Sequence, residues 1–172
     1  MTRATTSLLI SLTMAVAACG RGSPAAPAPS FAPLAPLSDE ARLFYDNGGG
    51  IRDSAQLVIR DSASFRDVWH RATAAQSNPA ALPMVNFSRD MVIMVAGGRM
   101  SPADQLHVDS AGVRRESTAS GKQQNVLAIV YTISQACRKF NGDAYPVEIV
   151  RVQRYAGEVR FVAHRVRGSD CR

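Results

Sequence analysis

From Val85 onward the chain reads as strand after strand, and that pattern limits what it can fold into more than any other feature. Asp90-Met91-Val92-Ile93-Met94-Val95-Ala96 is an unbroken apolar run of β-suited residues closed by Gly97-Gly98, the pattern of a central strand. Residues 105–108 and 113–116 flank Asp109-Ser110-Ala111-Gly112 and predict a hairpin. Residues 125–134 form another long strand, built on Val126-Leu127-Ala128-Ile129-Val130-Tyr131. Residues 145–154 and 158–166 read as a last strand pair joined across Tyr155-Ala156-Gly157.

Before this run stand a strand at Ala55-Gln56-Leu57-Val58-Ile59-Arg60 and the clearest helix. Phe65, Val68, Trp69 and Ala72 fall at i, i+3, i+4 and i+7, with Ser64 as N-cap and Asp67 three residues on. Trp69, the only tryptophan, is the expected core anchor of that helix. Asn78-Pro79 breaks it. Ser38 to Arg42 predicts a short helical turn, and Asp46-Asn47-Gly48-Gly49-Gly50 a loop without the Lys-Ser/Thr of a phosphate cradle. The expected fold class is α+β, mostly β: an antiparallel sheet of six to seven strands with one amphipathic helix near the domain start. The missing βαβ alternation argues against a doubly wound nucleotide fold.

The N-terminus carries one positive charge, Arg3, and an apolar run from Leu8 to Ala18 closed by Val16-Ala17-Ala18-Cys19. About eleven residues is too short for a membrane span, which needs about twenty, and suits a secretory signal. Small-small-Cys at its end looks like a lipoprotein signal, with Cys19 acylated and residues 1–18 removed; the plainer reading is an ordinary signal ending in a chance cysteine. Lipoproteins resembling this one, with Gly20 rather than Asp after the cysteine, pass to the outer membrane where the cell has one. The expected location is therefore the envelope, facing the periplasm or the cell surface. Residues 19–37 then form a spacer holding five of the nine prolines, with semi-extended polyproline II character and a reach of roughly 50 Å at about 3.1 Å per residue. Residues 38–172 leave room for one globular domain.

Net charge is +6, and the basic residues gather late. Arg151, Arg154, Arg160 and Arg165 are candidates for a basic strand face that meets an anionic ligand or polysaccharide. Secretion argues against nucleic acid, and because no aromatic residues interleave with the arginines as stacking platforms would, a plain solvated strand face is the favoured reading. Cys137 and Cys171 remain as an even pair in an oxidising compartment, and a disulfide between them is expected. A free thiol pair or a metal site is the alternative, but neither Cys-x-x-Cys nor an adjacent His supports metal. His70, His107 and His164 lack ligand spacing and read as structural. The sequence has no Gly-x-Ser-x-Gly elbow. The possible carboxylates Asp143 and Glu148 fit ion pairs better than acid–base chemistry, with Glu148 beside Arg151. No enzyme and no cofactor are expected.

Residues 59–162 carry an order of features that resembles a known family. A helix with Phe65 and Trp69 leads to Pro83-Met84-Val85-Asn86-Phe87-Ser88. Next comes Met91 to Ala96 with Gly97-Gly98, then a hairpin, a long strand and Tyr145-Pro146-Val147-Glu148-Ile149-Val150-Arg151-Val152. This order resembles the C-terminal domain of PrcB-type lipoproteins, accessory subunits of a surface protease complex. Gly98-Arg99-Met100-Ser101-Pro102-Ala103 departs from that family's Thr-Gly-Gly-Tyr-like turn, which puts a shared ligand or partner surface in doubt. The resemblance implies a non-catalytic domain, tied to the membrane by lipid, that binds or stabilises a partner protein.

Overall fold

The computed structural model describes residues 34–117, 120–138, 140–168 and 171; Cys19, the signal and most of the spacer lie outside them. The described residues form β1 (Ala35–Pro36), β2 (Arg42–Asp46), β3 (Ser54–Ile59), α1 (Ser62–Thr73), β4 (Asp90–Gly97), β5 (Gln105–Ser117), β6 (Gln123–Gln135), β7 (Val147–Gln153) and β8 (Val159–Arg167). A single 3-10 turn, Asp39–Ala41, stands where the short helical turn was expected. The domain is mostly β with one helix, as the pattern predicts. It is not one sheet, however. Strands β1-β5-β6-β8 make one four-stranded sheet and β2-β7-β4-β3 another, and β8 runs parallel to β6 while every other pair is antiparallel.

The two-residue period of β4 explains the layers. Met91, Ile93 and Val95 point between the sheets, where they meet Leu106, Val108, Leu127, Ile129, Tyr131, Val150 and Val152. Val92, Met94 and Ala96 point the other way, onto Phe65, Val68, Trp69 and Ala72 of α1. A strand buried on both faces has no polar side to show, which is why its sequence is continuously apolar. The Trp69 ring meets Phe44 and Phe65 edge-on at 5.3 and 5.8 Å between centroids, and its Nε1–H donates to the Ala80 carbonyl at 2.9 Å. Trp69 is the core anchor its spacing predicts.

The helix starts earlier than predicted. Asp61, not Ser64, is the N-cap: its carboxylate accepts the Ser64 N–H and hydroxyl, both at 2.8 Å. Negative charge at the positive end of the helix favours that choice.

The predicted hairpin at residues 109–112 does not form. β5 runs through it unbroken, and the turn signal is absorbed as a bulge that leaves Asp109 outside the residue-for-residue register with β6. The predicted last pair does not form either. β7 is buried on both faces and takes a central place between β2 and β4. β8, buried only in part, crosses to the edge of the other sheet beside β6. Tyr155 anchors that crossing by donating its hydroxyl to the Asn125 carbonyl at 2.7 Å. Sequence reading also missed β1 and β2. Ala35–Pro36, at the end of the stretch assigned to the spacer, pairs with Ser110 and Ala111 of β5.

Candidate functional site

The sandwich is open along one side, and the cause lies in how little of β5 its neighbour covers. β1 is two residues long and reaches only to Ser110, with the Leu37 N–H adding one bond to the Asp109 carbonyl at 3.0 Å. The chain then crosses through the 3-10 turn to β2 in the other sheet. Beyond that point no strand of the described residues lies on this edge of β5. Side chains take over at Val108: Glu148 accepts its N–H at 2.6 Å, and Arg42 donates to its carbonyl at 3.1 Å.

Glu148 is 1% exposed. Register places it, with Arg42 and Tyr45, on the face of the β2–β7 pair that looks between the sheets. Its second oxygen accepts from Arg42. Burial pushes the Glu148 carboxyl above its ordinary value, against the Val108 N–H, His107 and Arg42, which favour the charge. His107 Nδ1 lies 3.5 Å from both Glu148 and Arg42, donating to the first or accepting from the second according to its tautomer. The expected Glu148–Arg151 pair is not found. Residues three apart on a strand face opposite ways, and Arg151 donates instead to the Glu40 carbonyl at 3.3 Å. Around Glu148 opens a cleft of about 600 Å³, lined by Arg42, Tyr45, Leu106, His107, Thr132 and Ser134 among others. Tyr45 is 47% exposed at its mouth. Chemically the cleft offers uncovered strand backbone and an aromatic rim, while the carboxylate, the guanidinium and the Asp109–Thr132 pair at 2.7 Å are held in internal bonds.

A second cleft, of about 630 Å³, lies at the end of the sandwich where β4 and β6 stop and β5 begins. The loop that departs from the PrcB-like turn lines it. Asp104 shapes it, accepting the Ala136 N–H at 2.9 Å and the Ser101 N–H at 3.2 Å. Nearby, Cys137 and Cys171 stand at disulfide distance, with Cα atoms 5.1 Å apart. The Gly168 N–H to the Gln135 carbonyl, 2.7 Å, and the Cys171 N–H to the Gly168 carbonyl, 3.1 Å, hold the end of the chain there.

The four arginines proposed as one basic face do not share a surface. Arg151 is committed to Glu40, and Arg154 donates to the Arg60 and Phe87 carbonyls. Arg160 pairs with Glu158 and Glu116, which raise its affinity for its proton, and Glu116 also holds Arg114. Arg165 alone reaches the end cleft. Alternation along the strands scatters side chains that look clustered in sequence. Asp143 and Glu148 are likewise apart, Asp143 accepting from Arg99 Nε at 2.8 Å. His70 and His164 are exposed. No helix of the described residues is long and apolar enough to cross a membrane.

Compared with models of known families, with curated proteins and with solved structures, the chain matches none.

Proposed function

We propose that this chain is a lipid-anchored envelope protein whose domain holds a partner protein at the lateral cleft and performs no chemistry of its own. One observation carries the reading: among the described residues, no strand lies on the outer edge of residues 105–108 of β5. An extended segment of a partner can add there, contributing main-chain hydrogen bonds beside Leu106 and packing against Tyr45. Exposed edges are aggregation hazards that proteins normally cover or charge, and here the cover stops short where the cleft opens. The internal commitment of Glu148 and Arg42 also suits a scaffold better than an acid–base pair. The order of features shared with PrcB-type lipoproteins and the small-small-Cys signal at Cys19 point the same way. The alternative, an anionic polymer on one basic face, has less support because Arg151, Arg154 and Arg160 already make intramolecular bonds at the surface.

The test is recovery of the full chain from membranes gently solubilised in detergent. A partner is expected in stoichiometric amount, and the N-terminal peptide should begin at an acylated Cys19. Tyr45→Asp should cut partner recovery at least about tenfold, the loss expected for a central aromatic contact worth more than about 1.4 kcal/mol. A chain that always elutes alone, or one recovered from the cytosol with Met1 intact, overturns the proposal.

A further inference from the structure

The end cleft is built independently of the lateral one, and its polar groups do not balance. Among the described residues, the Ser101 hydroxyl is the one buried side-chain oxygen or nitrogen without a hydrogen-bond partner. An unmet buried hydroxyl destabilises the fold unless something in the cleft meets it. Both Asp104 oxygens are occupied by backbone N–H groups, so its charge is directed into the loop and the end of β6. Asp143 is taken by Arg99. Arg165 is different. Register sets it beside Ile133, which belongs to the core between the sheets, so Arg165 lies on the inward side where the second sheet has ended. It lines the cleft, and no carboxylate among the described residues pairs with it. Phe140 also lines the cleft and is 56% exposed, an apolar ring left open to solvent.

A guanidinium and a hydroxyl supply donors where the acceptors are already satisfied, which selects an oxyanion; a guanidinium's parallel N–H groups match a carboxylate in particular. An exposed ring beside them adds a flat apolar contact. The volume lies within the range of small-molecule sites, about 300–1,000 Å³. We infer that the end cleft binds a small carboxylate attached to a six-membered ring, the carboxylate held by Arg165 and Ser101 and the ring laid on Phe140.

Ligand-observed NMR and calorimetry on the detergent-solubilised full chain test this with two probes, glucuronate and phenylacetate, against their uncharged counterparts glucose and phenylacetamide. Saturable binding is expected for at least one acid, at least about tenfold tighter than its neutral counterpart, and the acid that wins identifies the ring as sugar or aromatic. Arg165→Gln should weaken it at least about tenfold, and Ser101→Ala and Phe140→Ala each severalfold. Arg160→Gln, on the opposite face of β8, should leave it unchanged, with unfolding curves confirming that each variant folds. The inference is overturned if neither acid saturates by about 10 mM, a limit of roughly −3 kcal/mol. Neutral counterparts that bind equally well, or wild-type affinity in Arg165→Gln, overturn it too. Partner recovery through Tyr45 is measured separately, so failure of either proposal leaves the other standing.

Discussion

Glu148 ties the two sheets together with two oxygens, one on Arg42 of β2 and one on the Val108 N–H of β5. Losing it leaves a half-buried guanidinium and a main-chain donor without their acceptor. The sign of its pH dependence follows from burial, the largest influence on it, which raises its pKa from the ordinary 4.5. A carboxyl whose folded pKa is raised contributes stability that is fully present below the unfolded pKa and is lost as pH rises through the folded one. Glu148→Gln keeps an acceptor for Val108 but removes that titration. In urea unfolding at a series of pH values, the wild type should therefore lose ground relative to Glu148→Gln as pH climbs from about 4.5. A wild type that gains on the variant over the same range would mean that Arg42 outweighs burial. Glu148→Ala removes the acceptor as well and should cost about 3–5 kcal/mol, as for a broken buried pair. Little of this was legible beforehand. Arg42 lies 106 positions from Glu148, and nothing in the sequence marks one as the other's partner, whereas Arg151 stood close by in the text and faces the wrong way.

The loop between β2 and β3 shows how one element's packing is set by a position with no side chain. The Gly50 N–H donates to the Ala72 carbonyl at 3.2 Å, at the C-terminal end of α1, and a Cβ on Gly50 would run into the Arg71 carbonyl. At Gly48 the nearest atom to a Cβ is 3.6 Å away, an ordinary contact. Gly50→Ala should then cost about 1–3 kcal/mol through overpacking, while Gly48→Ala stays within about ±0.5 kcal/mol. Equal effects in urea unfolding would remove the claim that this loop is fitted to the helix. Elements with a strong local period were legible: α1 from its apolar stripe, and β4 and β6 from their runs. The hairpin and the last strand pair were not, because turn residues state only that the chain can bend. At residues 109–112 the same chemistry serves a bulge, and at residues 155–157 it carries the chain from one sheet to the other. β2 gave a signal in Leu43-Phe44-Tyr45, masked by the helix-start pattern just before it.

At the scale of the molecule, the cysteine pair spans 34 positions that include all of β7 and β8. The enclosed chain leaves the end of β6, passes through the middle of the second sheet as β7, and returns to the first as β8. That return is held by the parallel pairing with β6, by Tyr155 and the Arg160–Glu116 pair near its start, and by the bonds around Gly168 at its end. Closing such a loop restricts the unfolded chain and should stabilise the fold by about 3–4 kcal/mol on the chain-entropy argument. It also fixes the tail beside the end cleft, next to the strand that carries Arg165. If Cys137 and Cys171 are bonded, the folded protein should take no thiol label at either position without a reductant. Cys137→Ser/Cys171→Ser should lower the urea midpoint to match the reduced wild type. Hydrogen exchange in the double variant should rise first in residues 159–167, the edge strand, while β4 stays protected, because β4 is buried on both faces and does not depend on the staple. Exchange that rises uniformly would instead place the staple's effect on the unfolded chain alone, and free labelling of either thiol in the oxidised protein would remove the bond altogether.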